Sequence, residues 1–300
     1  MGLTQGSGAS PAVWTAVSTV IIGAYKHRGF GAQLVGGWSQ ESINIAALLY
    51  VDDTDLLHNI VSTQDDQEML VPWTQQATTH WANLLQTTGG NLNPAKCYWY
   101  LLQYKFDKGE ASLTPRRHPL DKHLTIPQPN GSEVEITLKD PTEAFEVLGV
   151  LVSPNGDGEP MLQHMINKGY KWSRRVLSSK LQAKDAWFSF RTQAIMSVRY
   201  GLIPLMASRT SIEHTVSKWY YHCLPALGVN RSIGHEWRML PSEYQGLGLP
   251  NLALEKLAES LQILQQHWTR RTELGQALHF SFELVQIETG LQGNFPFAKL

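Results

Sequence analysis

The spacing of apolar and polar positions changes character about halfway along the chain. Up to about residue 155, short apolar runs alternate with turn-forming residues; beyond it the spacing is almost entirely helical. Ser10 reads as an N-cap and Pro11 as a first-turn proline, which predicts a helix from there to about Tyr25 behind the Gly-rich opening. The stretch RGFGAQLVGGWSQ predicts a loop or hairpin. Ile43, Ile45, Ala47, Leu48 and Leu49 then read as a buried strand, and Leu56, Leu57, Ile60 and Val61 as a second. A tight hairpin between them would carry Asp52 and Asp53 at its tip. Leu70, Trp73, Ala77, Trp81 and Leu84 recur at three- and four-residue spacing, one apolar helical stripe that Gly89 and Gly90 end.

After this helix, CYWYLLQY reads as a strand. Residues 105 to 131 are rich in proline and polar groups and read as an exposed connection, part of an inserted loop or hairpin region at about 104–142. SEVEITLKD alternates Val134, Ile136 and Leu138 with polar partners, a half-buried strand, and FEVLGVLVSPNGDG is a further strand closed by a turn cluster. From Pro160 the segments MLQHMINKGYKWSRRVLSSKL, WFSFRTQAIMSVRYGLI, IEHTVSKWYYHCLPAL and NLALEKLAESLQILQQHW all carry helical spacing. The expected class is α+β, with residues 1–155 mixed and residues 156–300 nearly all helical.

Bulk properties narrow this little. A chain of 300 residues, 42% hydrophobic and 17% charged, is an ordered globular protein of one or two domains. A net charge of −1 gives no global signature for nucleic acid, so any such footprint must be local. Cys97 and Cys223 are too few for a disulfide framework and lack metal-ligand spacing; they read as reduced thiols of an intracellular protein. No secretory signal opens the chain. The longest apolar run, Pro11 to Tyr25, is broken by Thr15, Ser18 and Thr19 and is too short to span a bilayer, so it reads as a buried helix and no membrane partner is expected.

Candidate chemistry centres on Asp52 and Asp53. Two adjacent carboxylates between apolar runs repel one another and lose hydration, unless a cation or hydrogen-bond donors compensate. A hard cation such as Mg²⁺ takes one or two protein carboxylates and completes its shell with water and substrate phosphates. The alternative is an exposed Asp-Asp turn with Asp55 as a third solvated acid. In GLTQGSGASP, the glycines let backbone approach a ligand and Gln5 can both donate and accept; a flexible terminus is the other reading. Lys96, at the entry of the CYWYLLQY strand, can neutralise or protonate a departing pyrophosphate, or be solvated. On the helix after Pro160, Met165, Trp172 and Val176 share one face, and Lys168, Lys171 and Arg175 share another that could follow a phosphate backbone.

GLTQGSGASP, LLYVDD, GGNLNPAKC and FEVLGVLVS, in that order, resemble the successive palm motifs of reverse transcriptases. AIMSVRYGLIPLM and PSEYQGLGLPNLAL look like the thumb and following region of the non-long-terminal-repeat retrotransposon enzymes. The resemblance implies a partial polymerase palm, an antiparallel sheet with packed helices, followed by a helical thumb. It implies attack of a primer 3′-hydroxyl on the α-phosphate of a deoxynucleoside triphosphate, assisted by Mg²⁺ or Mn²⁺, with an RNA template and a DNA primer as partners. Asp52 matches the metal-binding acid and Asp53 its neighbour; Gln5 and Gly6 match the Gln-Gly pair bordering nucleotide and template; Lys96 matches the lysine of the following motif. FEVLGVLVS matches the primer-grip hairpin. Thr4 and Gly8 stand where the family often has prolines, which loosens that loop. The family's other metal-binding aspartate and its fingers lie upstream of the Gln-Gly loop, where this sequence begins, so the chain is expected to be inactive alone. A non-catalytic remnant that binds nucleic acid, or a fragment without independent role, stays open beside the polymerase. Use of chromosomal DNA would imply nuclear access.

Overall fold

The computed structural model describes residues 10–50, 53–60, 66–107, 110–113, 123–270 and 272–290. In chain order it contains α1 (Ser10–His27), β1 (Ala32–Val35), β2 (Ser42–Ile45), β3 (Ala47–Tyr50), β4 (Asp53–Leu56), α2 (Asp66–Thr87), β5 (Tyr98–Tyr100), β6 (Tyr104–Asp107), β7 (Glu110–Leu113), β8 (Leu124–Pro127), β9 (Glu133–Lys139), β10 (Phe145–Val147) and β11 (Val150–Val152). Helices follow: α3 (Glu159–Ser179), α4 (Ala183–Ser189), α5 (Ile195–Leu202), α6 (Arg209–Cys223), α7 (His235–Met239), α8 (Leu252–Trp268) and α9 (Glu273–Thr289). The class is α+β. Among the described residues the strands form hairpins β1–β2, β3–β4, β6–β7 and β10–β11 and one three-stranded sheet in the order β5-β9-β8, rather than a single continuous sheet.

The chain divides into two compact units. One takes the residues up to Trp99 with Arg117–Leu138 and the chain from Leu264; the other takes Tyr100–Arg116 and Lys139–Ile263. The β10–β11 hairpin therefore groups with the helices after it, and α9 with the first strands. This partition differs from a division of the sequence at residue 155.

In the first unit, Ile21 and Tyr25 of α1, one helical turn apart, bury against Phe30, Ala46, Ala77 and Trp81. Only this face of α1 is covered: Val20 is 73% exposed, so the expectation of a buried helix holds for one side. The reason is local. Thr15 and Thr19 donate to the carbonyls of Pro11 and Thr15 at 2.8 and 2.7 Å, so these hydroxyls need no tertiary partner and tolerate an open surface. The Tyr25 hydroxyl and Nε2 of His58 share a hydrogen bond of 2.7 Å; burial lowers the imidazole pKa to about 4, which keeps the ring neutral. No described helix is long and apolar enough to cross a membrane.

Helix α2 carries the expected stripe and packs on β8, a strand inside the stretch expected to be an exposed connection. Leu124 and Ile126 are each 1% exposed, and the Gln75 amide donates to the Thr125 carbonyl at 2.9 Å and accepts from its N–H at 2.7 Å. That bidentate clamp completes the backbone pairing of a four-residue strand whose sequence, LTIP, is too short to announce itself. The FEVLGVLV segment is likewise two strands. Leu148 and Gly149 have φ of 53° and 82°, the two positive values of a tight two-residue hairpin.

The second unit is organised by α3 against α6. Met161, Met165 and Val176 of α3 bury with Ile212, Val216, Trp219 and Tyr220 of α6. Phe190, fully buried, stacks on Trp219 with centroids 5.4 Å apart at 24°. The close approach depends on Gly169: a Cβ there would lie 2.5 Å from Cδ1 of Trp219. Between α4 and α5, residues Phe190–Ala194 widen into a π-turn in which the Ile195 N–H reaches back to the Phe190 carbonyl.

Gly169→Ala is expected to destabilise the protein by about 1–3 kcal/mol by overpacking, and Trp219→Ala by about 3–5 kcal/mol through the cavity left behind. Urea unfolding followed by near-ultraviolet circular dichroism measures both. An unchanged midpoint in Gly169→Ala would show that α3 and α6 are not held this closely.

Candidate functional site

The acidic hairpin is built by register. Tyr50 pairs with Asp53, Leu49 with Thr54, Leu48 with Asp55 and Ala47 with Leu56. Residues directly opposite share a face, so Leu49 and Leu56 turn towards the core around Tyr25 and Trp81, while Tyr50, Leu48, Asp53 and Asp55 turn outwards. The second strand thus begins at Asp53 rather than at Leu56. Asp53 is its first residue, and it shares the outer face with Asp55 two residues on. Leu57 extends the pairing by donating to the Ala46 carbonyl at 3.0 Å, and the strand stops short of Ile60. Val51 and Asp52, between the two strands, lie outside the described residues, as do Gln5 and Gly6.

The electrostatics of this face are unfavourable as it stands. Partial desolvation, and after it the Asp53 charge, raises the Asp55 carboxyl above its ordinary range. Tyr98 of β5 belongs to the same neighbourhood: desolvation raises its phenol, and the Asp55 and Asp53 charges raise it further. Asp55 is therefore more than a solvated turn residue, and Tyr98 is a neighbour that the motif does not indicate. Strand alternation carried a signal for Asp55; nothing local in the sequence points to Tyr98. The donor set is all oxygen, which fits a hard cation and no soft one. Among the described residues, no group of three or more His, Cys, Asp or Glu side chains is placed to hold a metal.

Lys96 ends a short 3₁₀ turn, Pro94–Lys96, capped by the Asn93 side chain, which accepts from the Ala95 N–H at 3.2 Å. The turn delivers the chain into β5, so Lys96 stands two residues before Tyr98. Its side chain is exposed and forms no ion pair among the described residues.

In the second unit, α3 presents His164, Lys168, Lys171 and Arg175 at positions i, i+4, i+7 and i+11, one stripe along its flank. Lys171 and Arg175 are exposed; Lys168 is half-buried and donates to the Ser197 carbonyl at 3.4 Å. His164, absent from the sequence-based set, is held below its ordinary pKa by desolvation and then by Lys168, so the stripe contains a neutral imidazole at pH 7. Arg174 leans over the Tyr170 ring at 5.8 Å. Trp172 packs against the core with its indole N–H on Ser189 Oγ at 3.1 Å, as the apolar face requires.

No family model matches this chain, and no curated protein matches it.

The raised Asp55 carboxyl has a definite sign. Its folded pKa exceeds its unfolded value, so its favourable contribution exists at low pH and is lost as pH rises through the folded pKa. Asp55→Asn is therefore expected to leave stability at pH 7 unchanged or slightly higher, and Asp53→Asn to move the Asp55 titration back towards the ordinary range. Carboxyl-carbon NMR titration and thermal melts read the two effects. An Asp55 titration that ignores Asp53→Asn would separate the two acids.

Proposed function

We propose that the chain is the palm-and-thumb portion of an RNA-directed DNA polymerase of the non-long-terminal-repeat retrotransposon kind. The observation that carries this reading is the shared outward face of Asp53 and Asp55 on a tight hairpin, a costly arrangement of like charges that a divalent cation would relieve. Asp52 and Asp53 are the residues that would hold Mg²⁺, or Mn²⁺ in its place. Bound there, the ion supplies charge neutralisation of the triphosphate and of the reacting oxygens. Lys96 contributes a mobile ammonium for the departing pyrophosphate. Gln5 and Gly6 border the nucleotide and the RNA template, and Lys168, Lys171 and Arg175 follow the backbone of the primer–template duplex. The last of these roles also supports a second reading, a non-catalytic remnant that binds nucleic acid, because Lys171 and Arg175 stand exposed and need no metal.

Metal at the hairpin is tested with paramagnetic Mn²⁺, which is expected to broaden the NMR signals of residues 50–55 first, with a dissociation constant of about a millimolar or weaker. Asp52→Asn should remove that broadening. Signals lost first elsewhere, or unaffected by the mutation, would sink the polymerase assignment and leave the remnant.

Duplex binding is tested by its salt dependence. Replacing Lys168, Lys171 and Arg175 together by alanine is expected to reduce the slope of log affinity against log salt by about two to three, roughly one per lost phosphate contact. The wild-type protein should show no sequence preference. An unchanged slope would mean the stripe is merely solvated.

A further inference from the structure

A cavity of about 270 Å³ opens in the second unit between α6, α7 and the start of α8. Its polar lining comprises Arg209, Glu213, Ser217, His235, Arg238 and Asn251. Arg238 is the unusual member. It is 9% exposed, yet among the described residues no carboxylate lies within ion-pairing distance of it. Its Nε donates to the Ile233 carbonyl at 2.9 Å and its Nη2 to the Arg231 carbonyl at 3.3 Å. A guanidinium carries five N–H donors, and these two bonds fix the plane of the fork while leaving its remaining donors uncommitted. A buried cation without a counter-charge is costly, and carbonyl dipoles offset only part of that cost.

The rest of the lining does not cancel the charge. Arg209 and Glu213 neutralise each other, Nε to Oε1 at 2.7 Å, on adjacent turns of α6. Among the lining residues two arginines stand against one carboxylate, and the nearby Glu255, whose charge reaches Tyr220, is itself paired with Arg199. Tyr220 cannot supply a counter-ion: burial raises its phenol, and its hydroxyl already donates to the Pro250 carbonyl at 2.7 Å. Asn251 caps α8 through its oxygen, which accepts from the Leu254 N–H at 3.2 Å. Ser217 and His235 add further donor capacity.

We propose that this cavity binds a phosphate monoester. An oriented guanidinium, a second cation held by a carboxylate, and neutral donors around them supply more hydrogen-bond donors than the two oxygens of a carboxylate ligand would use. The three terminal oxygens of a monoester match them, and the guanidinium fork suits two of these oxygens at once. The volume accommodates the phosphate with a small attached group and excludes a duplex. The site is independent of the polymerase reading, since it involves neither the acidic hairpin nor the α3 stripe.

Amide hydrogen exchange of the full chain tests it, with inorganic phosphate, adenosine monophosphate and acetate compared at equal ionic strength. Phosphate and the monophosphate are expected to slow exchange over 235–239 and 209–217, and acetate is not. Arg238→Gln should weaken the apparent affinity by about ten- to a hundredfold, the loss of a charge-assisted donor group. Arg209→Met, at an exposed position, should weaken it in the same direction with the fold intact, and it decides the matter if Arg238→Gln does not fold. A short oligonucleotide bearing a 5′-phosphate should protect the same segments, and its unphosphorylated form should not. Protection by acetate equal to that by phosphate, protection by both oligonucleotides alike, or no protection over 235–239 would overturn the proposal.

Discussion

The register of the β3–β4 hairpin is the constraint on which the acidic site depends. With Tyr50 opposite Asp53, Leu49 and Leu56 meet the cluster around Tyr25 and Trp81, and both carboxylates face out. A slip of one residue would reverse every side chain. Each half-buried leucine would then forfeit part of the roughly 1.5–3 kcal/mol that full burial contributes, and each carboxylate turned inward unpaired would cost several kcal/mol more. Both penalties act in the same direction. The acids are presented because the leucines are hidden, and the electrostatic strain between Asp53 and Asp55 is tolerated because the apolar face outweighs it.

A comparable dependence orders the second unit. The approach of Trp219 to Gly169 sets the rotation of α3, with Met161, Met165 and Val176 turned to α6. At 100° per residue this rotation leaves the His164–Arg175 stripe on the flank of the helix rather than on its far side. Position on the flank explains why Lys168 reaches the Ser197 carbonyl while Lys171 and Arg175 extend into solvent. The same packing carries Tyr220 and the Arg209–Glu213 pair on α6, so the cavity at Arg238 is positioned by the core that positions the stripe.

What could be read in the sequence follows from the range of each interaction. The helices α2, α3, α6 and α8 show a repeated apolar stripe, and that signal is local. Strand β8 is short, ends in a proline and owes its place to a Gln75 clamp from a distant helix, so no window around it carries the information. The apolar pattern of FEVLGVLV reads as one strand and only the family resemblance implies a hairpin there, because leucine rarely takes positive φ, as Leu148 does beside Gly149. The apolar run of α1 has no marked period, so it indicated a helix without indicating which side would be covered. Asp53 was visible from its motif. Asp55 followed from strand alternation once the register was known, whereas Tyr98 arrives from another strand. Arg238, in HEWRML, looks like any solvated arginine; its burial comes from the loops that fold around α7.

A near-neutral total charge, 25 basic against 26 acidic residues, conceals these local imbalances. At physiological ionic strength the Debye length is about 8 Å, so charges at separate sites do not cancel one another through solvent. Screening also acts unequally. Lys171 and Arg175 are exposed, and salt competes directly with any phosphate they contact. Arg238 is buried and its guanidinium is held by two backbone carbonyls, so it meets solvent ions less directly than the exposed residues of the α3 stripe do. The two cationic features thus differ in kind: the stripe is a row of separate charges reaching into solvent, whereas Arg238 is one buried guanidinium fixed in orientation by carbonyls.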